Sequence, residues 1–353
     1  MSAEPILESW RERIAAATAA RGALRLRGSG SKDFYGEQLA GEPLDLTSWR
    51  GIVHYEPSEL VLTARCGTPL SQIEATLAAQ GQFLAFEPPA FGGDPTVGGV
   101  IAAGLSGPRR MYAGAARDFV LGTRLLTARG EHLRFGGEVM KNVAGFDLSR
   151  LLCGSLGILG IITEVSLKVL PRPRQEATVR LELSAAAAVA AFNRWAALPL
   201  PLSGAAWSQG LAWVRLSGAA SALSAARAHI GGEPVATGDA SAFWQALRHC
   251  ALPLFAAGSL WRVSLPPATA PLALAGEPLI DWGGALRWYA QPAESPLRAL
   301  AQAAGGSALL WRGESAHGRF HPLAPEVETL HRRLKAQFDP HGIFNPGRLL
   351  PGL

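Results

Sequence analysis

The chain has 353 residues, enough for two domains that each bury a core of their own. Hydrophobic residues make up 48% and charged residues 17% of it, which excludes a largely disordered protein. The net charge is +5, but residues 1–170 carry 17 basic and 17 acidic side chains, so the excess lies in the remainder. Because arginine is scattered singly and forms no basic stripe with aromatic platforms, we expect no nucleic-acid binding.

The cysteines and the apolar runs indicate the compartment. Cys66, Cys153 and Cys250 are far apart and form no C-x-x-C pair. This pattern predicts reduced thiols in the cytoplasm and excludes an iron–sulfur cluster ligated by cysteines of this chain. The start of the chain lacks the basic and apolar regions of a signal peptide. Residues 195–214, the longest uncharged run, contain proline and glycine, so we expect no transmembrane segment.

In chain order, the first pattern is an amphipathic helix over residues 5–20, followed by a short alternating strand over 24–27. A second strand is predicted over 61–64. Thr68 and Pro69 then provide a cap and a first-turn proline for a helix that ends near Ala79.

Residues 120–127 and 131–135 predict a hairpin with Arg129-Gly130 in its turn. Residues 164–169 alternate between apolar and polar side chains, which is typical of a half-buried strand. The Pro-Arg-Pro-Arg segment at 171–174 stops that strand and is the best domain boundary.

Beyond this boundary the patterns predict a mixed α+β domain, with short strands alternating with alanine-rich helices. The predicted strands are 178–183, 211–216 and 260–265, and the predicted helices are 185–195 and 221–230.

Three glycine-dense stretches carry the functional signal. The first, residues 27–32 (RGSGSK), follows a strand, and its small residues allow several amide groups to hold a phosphate. It is neither a G-x-G-x-x-G nor a Walker A motif, and alone it is a weak signal. The second, residues 94–110 (DPTVGGVIAAGLSGPRR), allows the close approach of a flat or anionic ligand. In the third, residues 141–163, glycine recurs at every third position just before a strand, where a packed strand would prefer side chains.

These stretches resemble, in order and spacing, the FAD domain of the vanillyl-alcohol-oxidase (PCMH-type) flavoproteins, which include D-lactate dehydrogenases and glycolate oxidase. KNVAGFDLSRLLCGSLGILGIIT (141–163) looks like the version found in those two enzymes, and TVGGVIAAGLSGPRRMYAGAARDFVLG (96–122) is similar to the small flavin subunit of bacterial glycolate oxidase. FDPHGIFNPGRL (338–349) resembles the closing motif that returns to the flavin. The resemblance covers residues 24–170 and 338–349.

The resemblance implies an α+β fold in three parts: a two-part PCMH-type FAD-binding domain over 1–172, a smaller α+β cap domain over 173–330, and a C-terminal segment over 331–353 that returns to the flavin. It also implies the residues that bind FAD. The pyrophosphate would lie against Arg27, Gly28, Ser29, Gly30, Ser31 and Lys32. The pyrophosphate and flavin would be lined by Thr96, Val97, Gly98, Gly99, Gly104, Ser106 and Gly107. Gly114 and Asp118 would lie near the adenine-side loop. The ribityl and adenine portion would be lined by Gly154, Gly157, Gly160 and Ile162. Asn345 would lie near the isoalloxazine.

Relatives that attach FAD covalently have a histidine in the first loop, where this chain has Ser31. We therefore expect non-covalent FAD. The leading hypothesis is an FAD-binding subunit of a cytoplasmic glycolate oxidase complex, with any association with the inner membrane made peripherally through its partners. Those partners would be a larger FAD-containing subunit that oxidises glycolate, a small 2-hydroxy acid, to glyoxylate, and an iron–sulfur subunit.

Two alternatives stay open: a stand-alone 2-hydroxy-acid dehydrogenase, and a structural subunit with a vestigial FAD site. The Gly-Asp-Gly-Asn-x-His motif of the larger relatives is missing, and no metal site is predicted. Glu314, His317 and His321 are interpreted as loop residues. A stand-alone dehydrogenase needs an arginine clamp for the substrate carboxylate, for which Arg109, Arg110 and Arg287 are the sequence candidates.

Overall fold

The computed structural model describes residues 3–137 and 147–353. Residues 141–146 of the third glycine-dense stretch therefore lie outside the described residues. In the described part, the helices are α1 (Ala3–Ala20), α2 (Leu70–Ala79), α3 (Val97–Ala103), α4 (Arg110–Ala113), α5 (Leu148–Leu151), α6 (Ala185–Ala196), α7 (Ala220–Ile230), α8 (Thr237–Arg248), α9 (Leu297–Ala303) and α10 (Pro325–Phe338).

The strands in the same part are β1 (Leu24–Arg27), β2 (Glu42–Asp45), β3 (Ile52–Glu56), β4 (Val61–Arg65), β5 (Gln82–Phe83), β6 (Val120–Leu126), β7 (His132–Gly136), β8 (Ile161–Lys168), β9 (Leu170–Pro171), β10 (Gln175–Glu182), β11 (Leu202–Ser208), β12 (Leu211–Gly218), β13 (Glu233–Pro234), β14 (Leu260–Ser264), β15 (Leu279–Asp281), β16 (Leu286–Tyr289) and β17 (Ser307–Arg312). The predicted mixed α+β class is confirmed.

The first large sheet belongs to the N-terminal half and has the antiparallel order β3-β4-β8-β6-β7. The predicted hairpin is confirmed as β6 and β7. The prediction of a half-buried strand for β8 is wrong, since six of its eight residues are buried. Ser166, expected on the polar face, is buried with its hydroxyl 2.8 Å from that of Thr63, because β8 lies in the middle of the sheet.

Strands β1 and β2 form a smaller parallel pair. The C-terminal segment contacts this pair at β1. The amide of Leu24 donates to the carbonyl of Ile343 over 2.7 Å, and the amide of Asn345 donates to the carbonyl of Leu24 over 2.9 Å. Trp10 and Ile14 of α1 and Phe344 share one buried cluster beside this pair. The C-terminal segment thus returns to the N-terminal half, directly beside the first glycine-dense loop.

The second large sheet has eight strands in the order β13-β10-β12-β11-β15-β16-β14-β17. Helices α6 and α7 cover one face at β10–β12, and α9 covers the same face at β14 and β17. The opposite face packs against the N-terminal half through Ala103 and Leu105, which belong to the second glycine-dense stretch. The interface between the halves is therefore built at a predicted ligand-binding segment. None of the helices within the described ranges combines the length and apolar character needed to cross a bilayer.

Candidate functional site

A cleft opens between the loop after β1, helix α3, the segment before β8 and the C-terminal turn, with about 420 Å³ of empty space that is partly open to solvent. Eight of the residues predicted to bind the cofactor line it: Gly28, Thr96, Gly98, Gly99, Gly157, Gly160, Ile162 and Asn345. Segments that are far apart in the sequence therefore meet at one place, as a shared ligand requires.

Close backbone approach explains why several of these positions are glycine. A Cβ atom on Gly28 would lie 2.3 Å from Oγ1 of Thr96, and one on Gly98 would lie 2.6 Å from Cβ of Cys66. Gly157 has a φ of +74°, and a Cβ there would lie 2.7 Å from Nδ2 of Asn345. Gly99 differs, since only Oγ1 of Thr96, at 3.3 Å, lies near its added Cβ. Its missing side chain leaves space in the cleft itself.

The loop of residues 28–32 offers free amide groups. None of its amide nitrogens donates a hydrogen bond to the part of the chain that the structure describes. The loop is closed from outside: Nε of Arg27 lies 3.1 Å from Oδ2 of Asp33, and Arg348 donates to the carbonyls of Lys32 and Asp33 over 3.1 and 2.9 Å. A run of unpaired amides in a fixed loop is a receptor for anionic oxygens. This observation supports the fit to a diphosphate.

Lys32 adds a cation to this loop. Burial lowers its pKa to about 8, and it forms no ion pair with any described carboxylate. Its Nζ lies 3.4 Å from Oγ of Ser31 and 5.8 Å from the ring centre of Phe91. A bound anion would favour the protonated form of Lys32. Of the remaining loop residues, Ser29 is exposed, and Ser31 lines a neighbouring pocket with Phe34 and Phe91.

The second segment holds α3 and connects it to the third segment. Thr96 caps α3 by accepting from the amide of Gly99 over 3.3 Å, while Val97 is fully buried. Gly104 ends the helix with a φ of +64°, and a Cβ there would lie 3.0 Å from Cα of Gly154. The glycines at 104 and 154 thus support the cleft from behind, by direct contact between two predicted segments.

Ser106 and Gly107 line a second cavity between the two halves. The carbonyl of Gly107 accepts from Nε1 of Trp282 over 3.0 Å, and Oγ of Ser106 accepts from the amide of Ala116 over 2.9 Å. Residues between 96 and 102 of this glycine-dense stretch therefore line the cleft, and residues 105–107 line the second cavity.

Gly114 and Asp118 line neither cavity. Gly114 has a φ of +113°, and Oδ2 of Asp118 accepts from the amide of Ala115 over 2.8 Å. Both residues shape a local turn before β6, and their predicted place near the adenine stays a prediction.

Sequence reasoning missed part of the lining: Leu26, Leu46, Cys66, Ala102 and Leu156. These are ordinary apolar residues, and even Ala102 and Leu156, which lie inside the second and third glycine-dense stretches, are not distinguished from their apolar neighbours by the motif. Burial raises the pKa of the Cys66 thiol to about 12, so this lining residue is an un-ionised thiol at neutral pH.

Comparison with known proteins identifies the family. Residues 7–136 match a family described as an FAD binding domain. The glycolate oxidase subunit GlcE of Escherichia coli (strain K12) is 51% identical over 328 residues, which cover 92% of each chain. The chain belongs to the GlcE family. It is accordingly a subunit of an FAD-dependent oxidoreductase. The members of its family are components of a multi-subunit oxidase.

Other relatives match shorter stretches. The glycolate oxidase subunit GlcD of Bacillus subtilis (strain 168) is 43% identical over 84 residues, which cover 24% of this chain and 18% of that protein. A D-lactate dehydrogenase of Anaerostipes hadrus is 34% identical over 134 residues, 38% of this chain and 28% of that one. A solved alkyldihydroxyacetonephosphate synthase aligns over 95% of this chain and 74% of its own, with a TM-score of 0.64 and 14% identity, which shows a common fold.

In this GlcE-family chain, Asn345 joins three segments of the cleft. Its Oδ1 accepts from the amide of Leu26 over 2.8 Å, and its Nδ2 donates to the carbonyl of Leu156 over 2.7 Å. Its φ of +42° is tolerated better by asparagine than by most residues. Lys335 fixes the preceding turn by donating to the carbonyl of Phe344 over 2.8 Å. Both ends of the Asn345 amide are therefore occupied within the protein, which makes it a structural clamp in the cleft wall.

We expect Asn345→Ala to lower the free energy of unfolding by about 2–3 kcal/mol, because it leaves the Leu26 amide and the Leu156 carbonyl without partners. Urea denaturation measures this change. Asn193→Ala is the control: Asn193 also bridges two segments, but only by donating to the carbonyls of Val189 and Pro267. Equal losses of stability in the two variants would contradict the role of Asn345 as a clamp.

Two of the three arginines named as candidates for a carboxylate clamp have structural roles. Arg109 pairs with Glu87 and Glu176. Arg287 is fully buried, and its guanidinium donates to backbone carbonyls, including that of Ala270 over 2.8 Å. Neither guanidinium is free to bind a substrate carboxylate in this structure. The guanidinium carbon of Arg110 lies 4.3 Å from the ring centre of Trp282, outside the linings of both cavities.

Proposed function

We propose that this chain binds FAD non-covalently as the small flavin subunit of a glycolate oxidase complex. The complex would contain a larger FAD subunit that oxidises glycolate to glyoxylate and an iron–sulfur subunit that passes electrons on. The observation that carries the proposal is the convergence of Gly28, Gly99 and Gly157 in one cleft beside a loop of unpaired amides. Similarity to the GlcE and GlcD subunits supports the assembly.

When bound, FAD supplies a flavin that accepts electrons and passes them to another centre. The chain's own residues bind and orient it. The amides of residues 28–32 would hold the diphosphate, with Lys32 as a nearby cation. The side-chain-free backbone at 98–99 and 157 would lie against the flat parts of the cofactor, and Leu26, Leu46 and Leu156 would exclude water from them.

The three-part division of the chain fits this assignment with one adjustment. Residues 1–172 and the C-terminal segment would form the flavin-binding part, and the eight-stranded sheet would form the cap. The predicted boundary at 330/331 falls inside α10 (Pro325–Phe338), so we place it before Pro325.

Non-covalent binding is supported by the first loop, which has Ser31 where a histidine would form the covalent link. We expect the purified chain to show flavin absorbance, and acid precipitation to release that flavin into the supernatant. A yellow pellet would contradict non-covalent attachment. A colourless protein, even when purified with its partner subunits, would contradict FAD binding altogether.

We also place the complex on the cytoplasmic side of the inner membrane, with any membrane contact made through the partners. The three free cysteines suit a reducing compartment. Separating the soluble and membrane fractions of cells with and without the partner subunits tests this placement. Recovery of this chain in the membrane fraction without its partners would contradict it.

A further inference from the structure

A surface groove lies beside the first glycine-dense loop and shares no lining residue with the cofactor cleft. Ser31 belongs both to this groove and to the loop whose amides would hold the diphosphate. We call it the aromatic groove, and its main lining residues are Phe34, Phe91, Phe255, Trp311, Arg312 and Arg319.

Three rings of the groove form one cluster in which each ring contacts the other two. The ring centre of Phe34 lies 5.2 Å from that of Phe91 and 5.3 Å from that of Trp311, and the last two are 5.9 Å apart. Phe34 is nevertheless 39% exposed. A single exposed phenylalanine needs no explanation, but one that continues into further rings of an open groove marks an interaction site.

The backbone holds Phe91 in a conformation that aromatic residues rarely adopt. Its φ is +55°, and Gly92 follows with a φ of +75°. Strain of this kind persists where the surrounding structure enforces it, and it is concentrated at functional positions. Here it accompanies the placement of the Phe91 ring against Phe34 in the groove.

Two guanidiniums line the groove with part of their donors open. Nη1 of Arg312 donates to the carbonyl of Phe255 over 2.5 Å, and Nη1 of Arg319 donates to the carbonyl of Phe34 over 3.1 Å. Nε and Nη2 of both arginines donate to no described residue, and neither arginine forms an ion pair in the described ranges. Backbone carbonyls therefore fix both cations without neutralising them.

No aspartate or glutamate within residues 3–137 and 147–353 lines the groove. The nearby carboxylates of the same loop region are engaged elsewhere: Oδ2 of Asp33 lies 3.1 Å from Nε of Arg27, and Oε1 of Glu37 accepts from the amide of Arg319 over 2.7 Å. The groove thus combines exposed aromatic surface with uncompensated positive charge. Its complement is an apolar side chain flanked by carboxylates.

We propose that the aromatic groove is the docking site for the iron–sulfur subunit, which inserts an apolar side chain between the rings and places carboxylates on Arg312 and Arg319. Interface centres are enriched in aromatic residues and arginine, and a guanidinium with open donors suits a carboxylate. The proposal rests on the proposed function, which supplies this partner. Because Ser31 belongs to the diphosphate loop, a subunit docked here would lie beside the cofactor whose electrons it receives.

Surface plasmon resonance tests the proposal, with the FAD-loaded chain immobilised and the purified iron–sulfur subunit or the larger flavin subunit as analyte. We expect Phe34→Ser to weaken binding of the iron–sulfur subunit about 10- to 100-fold, because it removes the exposed anchor. Arg312→Glu should weaken it by about 10-fold or more through repulsion of the partner's carboxylates. Wild-type affinity should also fall as ionic strength rises.

Two substitutions outside the groove are matched controls. Leu198→Ser removes an apolar side chain that is 38% exposed, close to the exposure of Phe34. Arg129→Glu reverses an exposed arginine in the turn between β6 and β7. Both controls should keep the wild-type affinity. Flavin absorbance and melting temperature show that each variant is folded and loaded.

The outcomes separate this proposal from the function on which it rests. A wild-type chain that holds no flavin, or that binds neither partner subunit, refutes the proposed function. A loaded wild-type chain that binds the iron–sulfur subunit, with unchanged affinity in both Phe34→Ser and Arg312→Glu, refutes the docking site alone. If Phe34→Ser instead abolishes binding of the larger flavin subunit, or self-association of this chain, another occupant holds the groove and the proposal is overturned.

Discussion

Replacing Gly99 by valine is expected to leave the purified protein almost without flavin while the chain still folds. Gly99 lies within α3, a helix whose geometry valine accepts, and it is half-buried in the cleft wall. An added Cβ meets only Oγ1 of Thr96, at 3.3 Å. The two methyl groups of valine would therefore enter the space of the cofactor. Overpacking of this kind costs about 1–3 kcal/mol or more, so FAD affinity should fall by about 10- to 100-fold.

The ratio of flavin to protein absorbance after gel filtration measures this loss. Gly238→Val is the matched control, because Gly238 is also a helical glycine, exposed in α8 with no atom within 4 Å of its added Cβ. The control should retain the full flavin content. In the absence of FAD, the two variants should melt at similar temperatures. A Gly99→Val protein with normal flavin content would show that the cofactor does not occupy this cleft.

Local chemistry explains what the sequence could predict. Strand β1 and the β6–β7 hairpin follow from alternation and a turn dipeptide, both signals within a few residues. Helix α2 was predicted one residue early: Pro69 is its N-cap in place of Thr68, whose hydroxyl bonds the backbone of Gly51 and Arg65. The glycines of the cleft were also predictable as places of close approach, because they cluster in three stretches whose backbone carries no side chains. Their recognition as one site depended on the family resemblance.

The remaining features depend on tertiary packing. Strand β11 was not predicted, because five of its seven residues are buried and it shows no alternation. In β16 the fully buried Arg287 looks like a surface residue in the sequence. Sequence alone also could not separate Arg287, saturated by carbonyls, from Arg312, which keeps open donors. The difference lies in partners contributed by distant strands and loops.

Replacing Glu87 by alanine is expected to destabilise the protein by about 3–5 kcal/mol. Its carboxylate joins the two halves of the chain: Oε1 lies 3.0 Å from Nη1 of Arg215 on β12 and 3.3 Å from Nε of Arg109. The Glu87 side chain is only 12% exposed, and both guanidiniums are less exposed still. Alanine would leave two buried cations without this anion. Urea denaturation, with both intrinsic fluorescence and circular dichroism as probes, measures the loss.

Glu42→Ala is the control, since Glu42 pairs with Arg13 at the surface and is 71% exposed. We expect its removal to cost less than about 1 kcal/mol. If Glu87→Ala were equally mild, the network between the halves would contribute little to stability, and the interface would depend on its apolar contacts alone.

The same carboxylate should make stability depend on pH. Burial alone would raise its pKa, but the guanidiniums of Arg215 and Arg109 outweigh burial and hold the pKa of Glu87 below its usual 4.5. A carboxyl whose pKa is lower in the folded state stabilises the fold above the unfolded pKa, and this contribution is lost as the pH falls through the folded value. Wild-type protein should therefore lose stability more steeply below pH 4.5 than Glu87→Gln, which cannot titrate at this position. Parallel curves for the two proteins would mean that other carboxylates, such as Glu176 beside Arg109, account for the acid sensitivity.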